Sequence, residues 1–152
     1  MIIFFGIGTN LGDREANLGE ALHLLNNRVG EQLACSSIYH SAPLGFVSDN
    51  QFANIVVVYC TSHSPEEILL ITQQIEREMG RTQKSINGIY HDRVIDIDLL
   101  KAYETMNGQL FAIDCQQPNL QLPHPRMQER DFVMIPLREV EEILSFNYNL
   151  WT

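Results

Sequence analysis

No apolar run in the sequence approaches the roughly 20 residues that a helix needs to cross a bilayer. The first eight residues lack a basic flank and are too short for a secretory signal, so we expect them to belong to the mature fold. Cysteine is scarce: Cys35, Cys60 and Cys115 are odd in number, widely spaced and outside any Cys-x-x-Cys or Cys/His zinc pattern. These absences predict reduced, structural thiols in a cytoplasmic protein without a membrane partner.

Positive charge is also scarce. Ten lysines and arginines stand against 19 aspartates and glutamates, which gives a formal net charge of −9. A protein that binds duplex nucleic acid needs a cationic surface to replace condensed counterions, so the composition disfavours a nucleic-acid partner. An acidic domain can still bind one polyanionic nucleotide where its few cations converge and a divalent metal helps. The charge therefore leaves ATP open as a ligand.

The chain is long enough for one domain with its own core, and we expect residues 1–152 to form a single domain. Periodicity predicts strands at 2–7, 33–39, 53–60 and 93–101, helices at 13–26 and from the Ser64 cap to the Gly80 stop, and a last short helix near 136–144. The stretch between the last strand and that helix is predicted to be rich in loops. This β-α-β-β-α-β order is typical of a ferredoxin-like α+β fold, an antiparallel sheet with helices packed on it, plus a C-terminal extension.

Asp96 and Asp98 are the sharpest functional signal. Residues two apart on a strand face the same side, roughly 7 Å from each other. Two carboxylates at that spacing can hold Mg²⁺, which completes its shell with water and phosphate oxygens. A strand with one solvated acidic face is the alternative. The proximity of Arg81, Arg93 and the Pro-His-Pro segment 123–125 favours the metal site.

The arginines and the glycine-rich segment 6–12 each have two possible interpretations. Arginines suit phosphate because the guanidinium fork donates two parallel hydrogen bonds, and scattered surface charge is the alternative. The glycine-rich segment 6–12 has leucine where a dinucleotide motif needs its third glycine, and no Gly-Lys-Ser/Thr follows. We therefore predict that Gly8 and Gly12 are turn residues and that Asn10 is a structural hydrogen-bonding residue.

Phe52 and Phe132 each adjoin polar, turn-forming sequence. A phenylalanine is by default a core residue. Aromatic side chains at loop edges can also sandwich a flat heterocycle. The residues by themselves leave both readings open.

Taken in order, these motifs resemble the 6-hydroxymethyl-7,8-dihydropterin pyrophosphokinase family over about residues 5–144. The matching segments are Gly8-Thr9-Asn10-Leu11-Gly12-Asp13, residues 36–45 and 51–54, Glu76-x-x-x-Gly80-Arg81, Arg93-x-x-Asp96-Ile97-Asp98, residues 123–127 and 130–132, and Pro136-Leu137. Several independent motifs in the right order are far more specific than any one of them.

The resemblance implies transfer of the β,γ-pyrophosphoryl unit of ATP to the hydroxymethyl oxygen of the pterin, with release of AMP, in folate biosynthesis. It assigns two Mg²⁺ ions to Asp96 and Asp98, and catalytic roles to Arg81 and Arg93. The pterin would contact Ser41, Ala42, Leu44, Phe52, Asn54 and Phe132, and the nucleotide would contact Gln73, Leu99, His124 and Arg130. We expect a monomer whose only partners are these two small molecules.

The chain departs from the family pattern where further cations are usual. Gln83 and Asn119 stand where the family has arginine, and of the family's Gly-Pro-Arg-like run only Arg93 carries over, at the end of residues 89–93. The phosphate contacts would then pass to Lys84, His91 or Arg126. Two other classes compete: a ferredoxin-like module for RNA or a regulatory ligand, which the charge of −9 disfavours, and another Asp-x-Asp phosphotransferase or phosphatase, which lacks an evident nucleophile.

Overall fold

A computed structural model describes residues 1–42, 50–80 and 93–148 of the chain. Its strands are β1 (Ile2–Thr9), β2 (Glu31–Cys35), β3 (Tyr39–Ser41), β4 (Phe52–Cys60), β5 (Asp96–Met106), β6 (Gln109–Ala112), β7 (Cys115–Gln117) and β8 (Leu120–Leu122). Its helices are α1 (Arg14–Arg28), α2 (Pro65–Glu78) and α3 (Asp131–Tyr148), with a 3-10 turn at Met127–Glu129. None of the helices in these ranges is both long and apolar enough to cross a membrane.

The main sheet has the strand order β2-β4-β1-β5-β6, and β3 pairs with β4 beside β2. The strand pairs in the described ranges are antiparallel. Two β-α-β units thus interleave, so that the first and last of the predicted strands, β1 and β5, are neighbours at the centre. The predicted ferredoxin-like α+β fold is confirmed.

Both helices that follow a strand begin at side-chain caps, and the sequence predicts the one at Ser64. The Asp13 side chain accepts a hydrogen bond from the Ala16 amide at 3.1 Å and caps α1. Ser64 and Glu67 form a reciprocal capping box at the start of α2. These local bonds satisfy amide groups that the first turn of a helix leaves without partners.

The central strands have two faces with different cover. One face carries Ile3, Phe5 and Ile7 in a cluster with the apolar stripes of α1 and α2, and we call it the helix-pair face. The opposite face carries Phe4 and Val58 in a cluster with α3, and we call it the α3 face. Because successive side chains of a strand point to opposite faces of the sheet, β1, β4 and β5 contribute residues to both cores.

The single strand predicted at 33–39 is in fact two strands, β2 and β3, on one edge of β4. Ser36 separates them. Its amide donates to the Val56 carbonyl at 2.9 Å, and its hydroxyl accepts from the Val56 amide, also at 2.9 Å. The side chain takes the place of a backbone acceptor, and the chain leaves the ladder at this point.

The prediction of a loop-rich stretch after β5 was wrong. β5 turns into β6 through Asn107 and Gly108, both with positive φ (51° and 76°), and β7 and β8 form a second hairpin. Asn-Gly is the preferred pair for a two-residue hairpin turn. The signal was therefore present in the sequence.

The last helix begins five residues earlier than the predicted position and runs for 18 residues, with Pro136 inside it. Proline removes one helical hydrogen bond and costs about 3 kcal/mol. Val133, Leu137, Val140 and Leu144 form a buried stripe on the sheet. Each contributes about 1.5–3 kcal/mol on burial, so the packing of this face outweighs the proline.

Candidate active site

A cavity of about 620 Å³ opens at the end of the α3 face, where α3 begins. Ten of the fourteen predicted site residues line it: Ser41, Ala42, Phe52, Asn54, Arg93, Asp96, Asp98, His124, Arg130 and Phe132. They come from β3 and the residue after it, from β4, from β5 and the segment just before it, from the segment after β8 and from the start of α3. The fold thus brings together residues that are up to 91 positions apart in the sequence.

Of the predicted residues that the structure describes, Gln73 and Leu99 do not line this cavity. Leu99 is buried on the helix-pair face, and Gln73 belongs to α2, which packs on that same face. Leu44 and Arg81 lie outside the described residues. The proposed nucleotide contacts of Gln73 and Leu99 remain predictions.

The floor of the cavity is a row of three residues that runs across the sheet. Gly8 of β1 stands opposite Asn54 of β4 on one side and opposite Asp96 of β5 on the other. Residues directly opposite each other point to the same face, and neighbouring strands lie about 4.8 Å apart. Asn54 and Asp96 are therefore separated by about 10 Å, two strand spacings, across a position that has no side chain.

A second row of the same kind lies beside the first, with Gly6 opposite Val56 and Asp98. A Cβ atom on Gly8 would stand 3.1 Å from Asn54 Oδ1 and 3.5 Å from the Phe52 ring. The prediction that Gly8 is a turn residue was wrong, because it lies within β1 and forms part of the floor. Gly12, with φ of 69°, is a turn residue as predicted.

Asn54, at one end of the cavity floor, has a side chain whose orientation is determined by its neighbours. The Asn54 side-chain amide donates to the Tyr39 carbonyl at 3.0 Å and to the Ser41 hydroxyl at 2.8 Å. Both of its hydrogens are used in this way. Asn54 Oδ1 is left at the cavity floor as an acceptor for a donor group of a ligand.

The other side of the cavity is cationic, and its arginines lie over aromatic rings. The Arg93 guanidinium donates to Asp96 Oδ2 at 3.1 Å and lies 5.5 Å from the centroid of Phe52. Arg130 lies 5.7 Å from the centroid of Phe132. Stacking of this kind restricts a long side chain and preserves its outward donors. Each candidate ring is thus paired with a candidate phosphate ligand.

Asn10 connects the backbone beside this cationic side to the rest of the fold. It is 2% exposed. Its side-chain Oδ1 accepts a hydrogen bond from the backbone amide of Arg93 at 2.7 Å, and its backbone amide donates to the Arg93 carbonyl at 3.1 Å. The prediction of a structural hydrogen-bonding role for Asn10 is confirmed.

His124 is oriented by two backbone contacts. Its amide donates to the Leu100 carbonyl at 2.7 Å, and its Nδ1 accepts from the Arg126 amide at 3.2 Å. A neutral ring whose Nδ1 accepts carries its proton on Nε2. Burial, and after it the charge of Arg130, lowers the pKa of the His124 ring below its usual 6.5. In its neutral form the His124 ring thus has Nε2–H available as a donor.

The carboxylates of Asp96 and Asp98 suit a hard cation. Both line the cavity, and the glycine opposite each of them leaves space at its side. Across the described ranges, no group of three or more histidine, cysteine or acidic side chains could hold a metal ion. A site with two carboxylates and no nitrogen or sulfur ligand fits Mg²⁺, which takes its other ligands from water and phosphate.

The chain is similar in sequence to known proteins over most of its length. Residues 4–142 match the model of a family described as 7,8-dihydro-6-hydroxymethylpterin-pyrophosphokinase (HPPK). A 2-amino-4-hydroxy-6-hydroxymethyldihydropteridine pyrophosphokinase of Porphyromonas gingivalis is 48% identical over 141 residues, 91% of this chain and 90% of its own length. A Bacillus subtilis protein of the same name is 40% identical over 140 residues, 91% of this chain and 77% of its own length.

The fold is also similar to that of solved structures. The wild-type HPPK-DHPS of Plasmodium falciparum with SDX-DHP aligns with 98% of this chain at a TM-score of 0.59 and 14% identity. This chain spans 46% of that chain, less than half its length. At such low identity the likeness concerns the fold alone.

Proposed function

The chain belongs to the 7,8-dihydro-6-hydroxymethylpterin-pyrophosphokinase (HPPK) family, and from this premise we propose how its described residues carry out the reaction. The protein transfers pyrophosphate to hydroxymethyldihydropterin in folate biosynthesis. We propose ATP as the donor and two Mg²⁺ ions as cofactors. We assign the pterin to one end of the cavity and the metal and phosphates to the other. The row Asn54–Gly8–Asp96 supports this assignment most directly, because it separates an acceptor for the pterin from a carboxylate for the metal.

The pterin occupies the end of the cavity bounded by β3 and β4. Asn54 Oδ1 accepts from a ring N–H or the amino group, beside Ser41 and Ala42. Phe52 and Phe132 contact the two faces of the ring, where stacking adds to the burial of apolar area. The bare position at Gly8 accommodates the substituent that points towards the aspartates.

The phosphates of ATP occupy the opposite end. Asp96 and Asp98 hold the Mg²⁺ ions, whose charge offsets that of the phosphate oxygens. Arg93, Arg130 and the Nε2–H of His124 donate to these oxygens. Arg93 is already held by Asp96, Phe52 and the Asn10 contacts to its backbone, so it needs little reorganisation when the substrate binds.

The reaction forms a bond between the hydroxymethyl oxygen and the β-phosphorus and breaks the bond from the β-phosphorus to the oxygen that bridges it to the α-phosphorus. AMP leaves with that oxygen, and the hydroxyl proton is released. Arg93 stabilises charge on the transferred group, and we assign the same role to Arg81. The principal contribution of the protein is to position the two substrates in line.

Arg126 supplies part of the cationic charge that Gln83 and Asn119 do not provide. It lines the cavity two residues after His124, and its charge helps to lower the pKa of that ring. A guanidinium at this place can reach the same phosphates as Arg130. We therefore assign Arg126 to nucleotide binding.

One assay tests the proposal. The protein is incubated with ATP, Mg²⁺ and hydroxymethyldihydropterin, and the nucleotide products are separated. AMP and the pterin diphosphate are expected in equal amounts. Formation of ADP or free phosphate in place of AMP would contradict pyrophosphoryl transfer.

We further propose that residues 1–152 act as a single domain and a monomer in the cytoplasm. The monomer and the single domain have a direct test in solution. Light scattering should give a mass close to 17.4 kDa, and unfolding should occur in one transition. A mass near twice this value would contradict the monomer.

A further inference from the structure

Glu76 is a buried acid that lies on α2, behind the metal-binding strand. Its residue is 3% exposed, and its Oε2 accepts a hydrogen bond from the Ile97 amide at 3.0 Å. Ile97 is the residue between Asp96 and Asp98. A side chain from the helix-pair face is therefore bonded to the backbone at the midpoint of the carboxylate pair.

The edge of β5 explains why this amide needs a side-chain partner. At 96–98, β5 pairs with β1 on one side. Its pairing with β6 includes only residues 103–106, so the described strands leave the other side of 96–98 without a neighbour. Amide directions alternate along a strand. The Asp96 and Asp98 amides thus face β1, and the Ile97 amide faces away from it towards Glu76.

The identity of this acceptor is informative because burial of an acid is costly. Ile75, Met79 and Ile97 around it belong to the apolar core. An unpaired amide costs about 1–3 kcal/mol, which one neutral acceptor could relieve at lower cost than a carboxylate. The carboxylate binds the amide more strongly and restricts the backbone between the two aspartates more tightly.

We propose that Glu76 is a positioning residue for the metal site. By holding the Ile97 amide, it sets the separation and direction of the Asp96 and Asp98 carboxylates on the opposite face of the strand. The inference rests on the proposed function, in which these two carboxylates hold Mg²⁺. Glu76 itself has no contact with the metal in this scheme, because it lies on the other face of the sheet.

Three variants separate the parts of this contact. Glu76→Met keeps the length of the side chain and removes the acceptor, whereas Glu76→Gln keeps a carbonyl acceptor without the charge. Glu76→Asp keeps the charge on a side chain that is one methylene shorter. Thr72→Val is the matched control, since Thr72 is 1% exposed on the same helix and its hydroxyl bonds only within α2, to the Leu69 carbonyl.

The first measurement is amide hydrogen exchange without metal or nucleotide. Exchange at Ile97 should accelerate most in Glu76→Met and Glu76→Asp, by a smaller factor in Glu76→Gln, and stay slow in Thr72→Val. Exchange at Val57, in the core of the sheet, reports global stability in every variant. Equal acceleration at Ile97 and Val57 would show a general loss of stability and would overturn the inference.

The second measurement is the Mg²⁺ concentration that half-saturates binding of a non-hydrolysable ATP analogue. Loss of a residue that orients metal ligands typically weakens metal affinity about 10- to 100-fold, and we expect about 10-fold for Glu76→Met. Glu76→Asp should be weakened, Glu76→Gln should recover most of the affinity, and Thr72→Val should bind Mg²⁺ as the wild type does. If Glu76→Met or Glu76→Asp folds and binds Mg²⁺ like Thr72→Val, the positioning role is wrong.

Failure of the proposed function has a different signature. In that case the wild type itself, and Asp98→Asn equally, would bind the analogue without dependence on Mg²⁺. The metal assignment and the inference would then fall together. A wild type that requires Mg²⁺, with all three Glu76 variants unchanged, would overturn the positioning role alone.

Discussion

On the helix-pair face, β1 places Ile3, Phe5 and Ile7 under two helices, and each of these residues is at most 2% exposed. On the α3 face the same strand places Ile2 and Phe4 under α3 and then has glycine at positions 6 and 8. On the first face, β1 is apolar from Ile3 to Ile7. The second is apolar for half its length and then becomes the floor of the cavity.

The half of the α3 face that α3 covers also contains charged side chains. Lys101 bonds to Glu141 at 2.6 Å, and its Nζ lies 4.8 Å from the centroid of Phe4. There each charge has a partner from the opposing element. In the cavity, charged side chains such as those of the Arg93–Asp96 pair border a space that a ligand can fill. The site on this sheet depends on the side chains missing at Gly6 and Gly8 as much as on the charged side chains beside them.

Among changes in the cavity on the α3 face, replacement of Asp98 by asparagine should have the largest effect on activity. We expect AMP formation to fall by about 10³-fold or more, because a metal ion contributes several kcal/mol of charge stabilisation in the transition state. The unfolding midpoint should stay near that of the wild type, since Asp98 belongs to neither apolar cluster. Asp114→Asn, at an exposed acid, is the control, and undiminished activity of Asp98→Asn would contradict the metal assignment.

Leu25→Ala tests the helix-pair face. Leu25 is fully buried between α1 and the sheet, and such a truncation costs about 2–5 kcal/mol of unfolding free energy. Denaturant titration measures this loss. The turnover of the folded enzyme should remain that of the wild type, because no group of the cavity changes. A fall in turnover without a loss of stability would show that the two faces are not separable.

Gly8→Ala adds one methyl group to the bare row. Its Cβ would meet Asn54 Oδ1 at 3.1 Å, and Asn54 is already held by two hydrogen bonds. Overpacking typically costs about 1–3 kcal/mol, which would correspond to about 5- to 150-fold weaker pterin binding. Gly6→Ala is the matched variant: it meets a movable Leu100 methyl at 3.3 Å and should cost less. Calorimetric titration with the pterin distinguishes the two, and equal losses would contradict the role of Gly8.

Arg126→Gln should raise the KM for ATP by about 10-fold, the value of one charge-assisted hydrogen bond. The KM for the pterin should change little, because Arg126 is assigned to the phosphate end. Arg138→Gln, at an exposed arginine of α3, is the control. Equal KM values for ATP in the two variants would remove Arg126 from the nucleotide site.

The smallest expected effect concerns the His124 ring. Its pKa lies below 6.5 through burial and then through Arg130, so an NMR titration should show protonation only below that pH. Arg130→Gln removes a charge that lowers the pKa, and the midpoint should rise. Asp96→Asn removes a charge that raises the pKa, and the midpoint should fall. A midpoint that ignores both changes would contradict the proximity of these groups in solution.

Several features were predictable because they depend on neighbours in the chain. The cap at Asp13 and the capping box of Ser64 and Glu67 are set by residues within one turn. The Asn107-Gly108 turn was equally local, and its omission from the prediction ignored a signal that was present. The length of α3 was not local, because the burial of its stripe on the sheet overrides the preference of Pro136.

The metal candidates follow from strand alternation, which places Asp96 and Asp98 on one face, and the family follows from the order of the motifs. The position of Gly8 between Asn54 and Asp96, and that of Glu76 behind Ile97, follow from the fold. Alternation and caps arise from sterics and hydrogen bonds within a few residues. Strand register and contacts between helix and sheet arise from packing between distant segments, which no short stretch of sequence specifies.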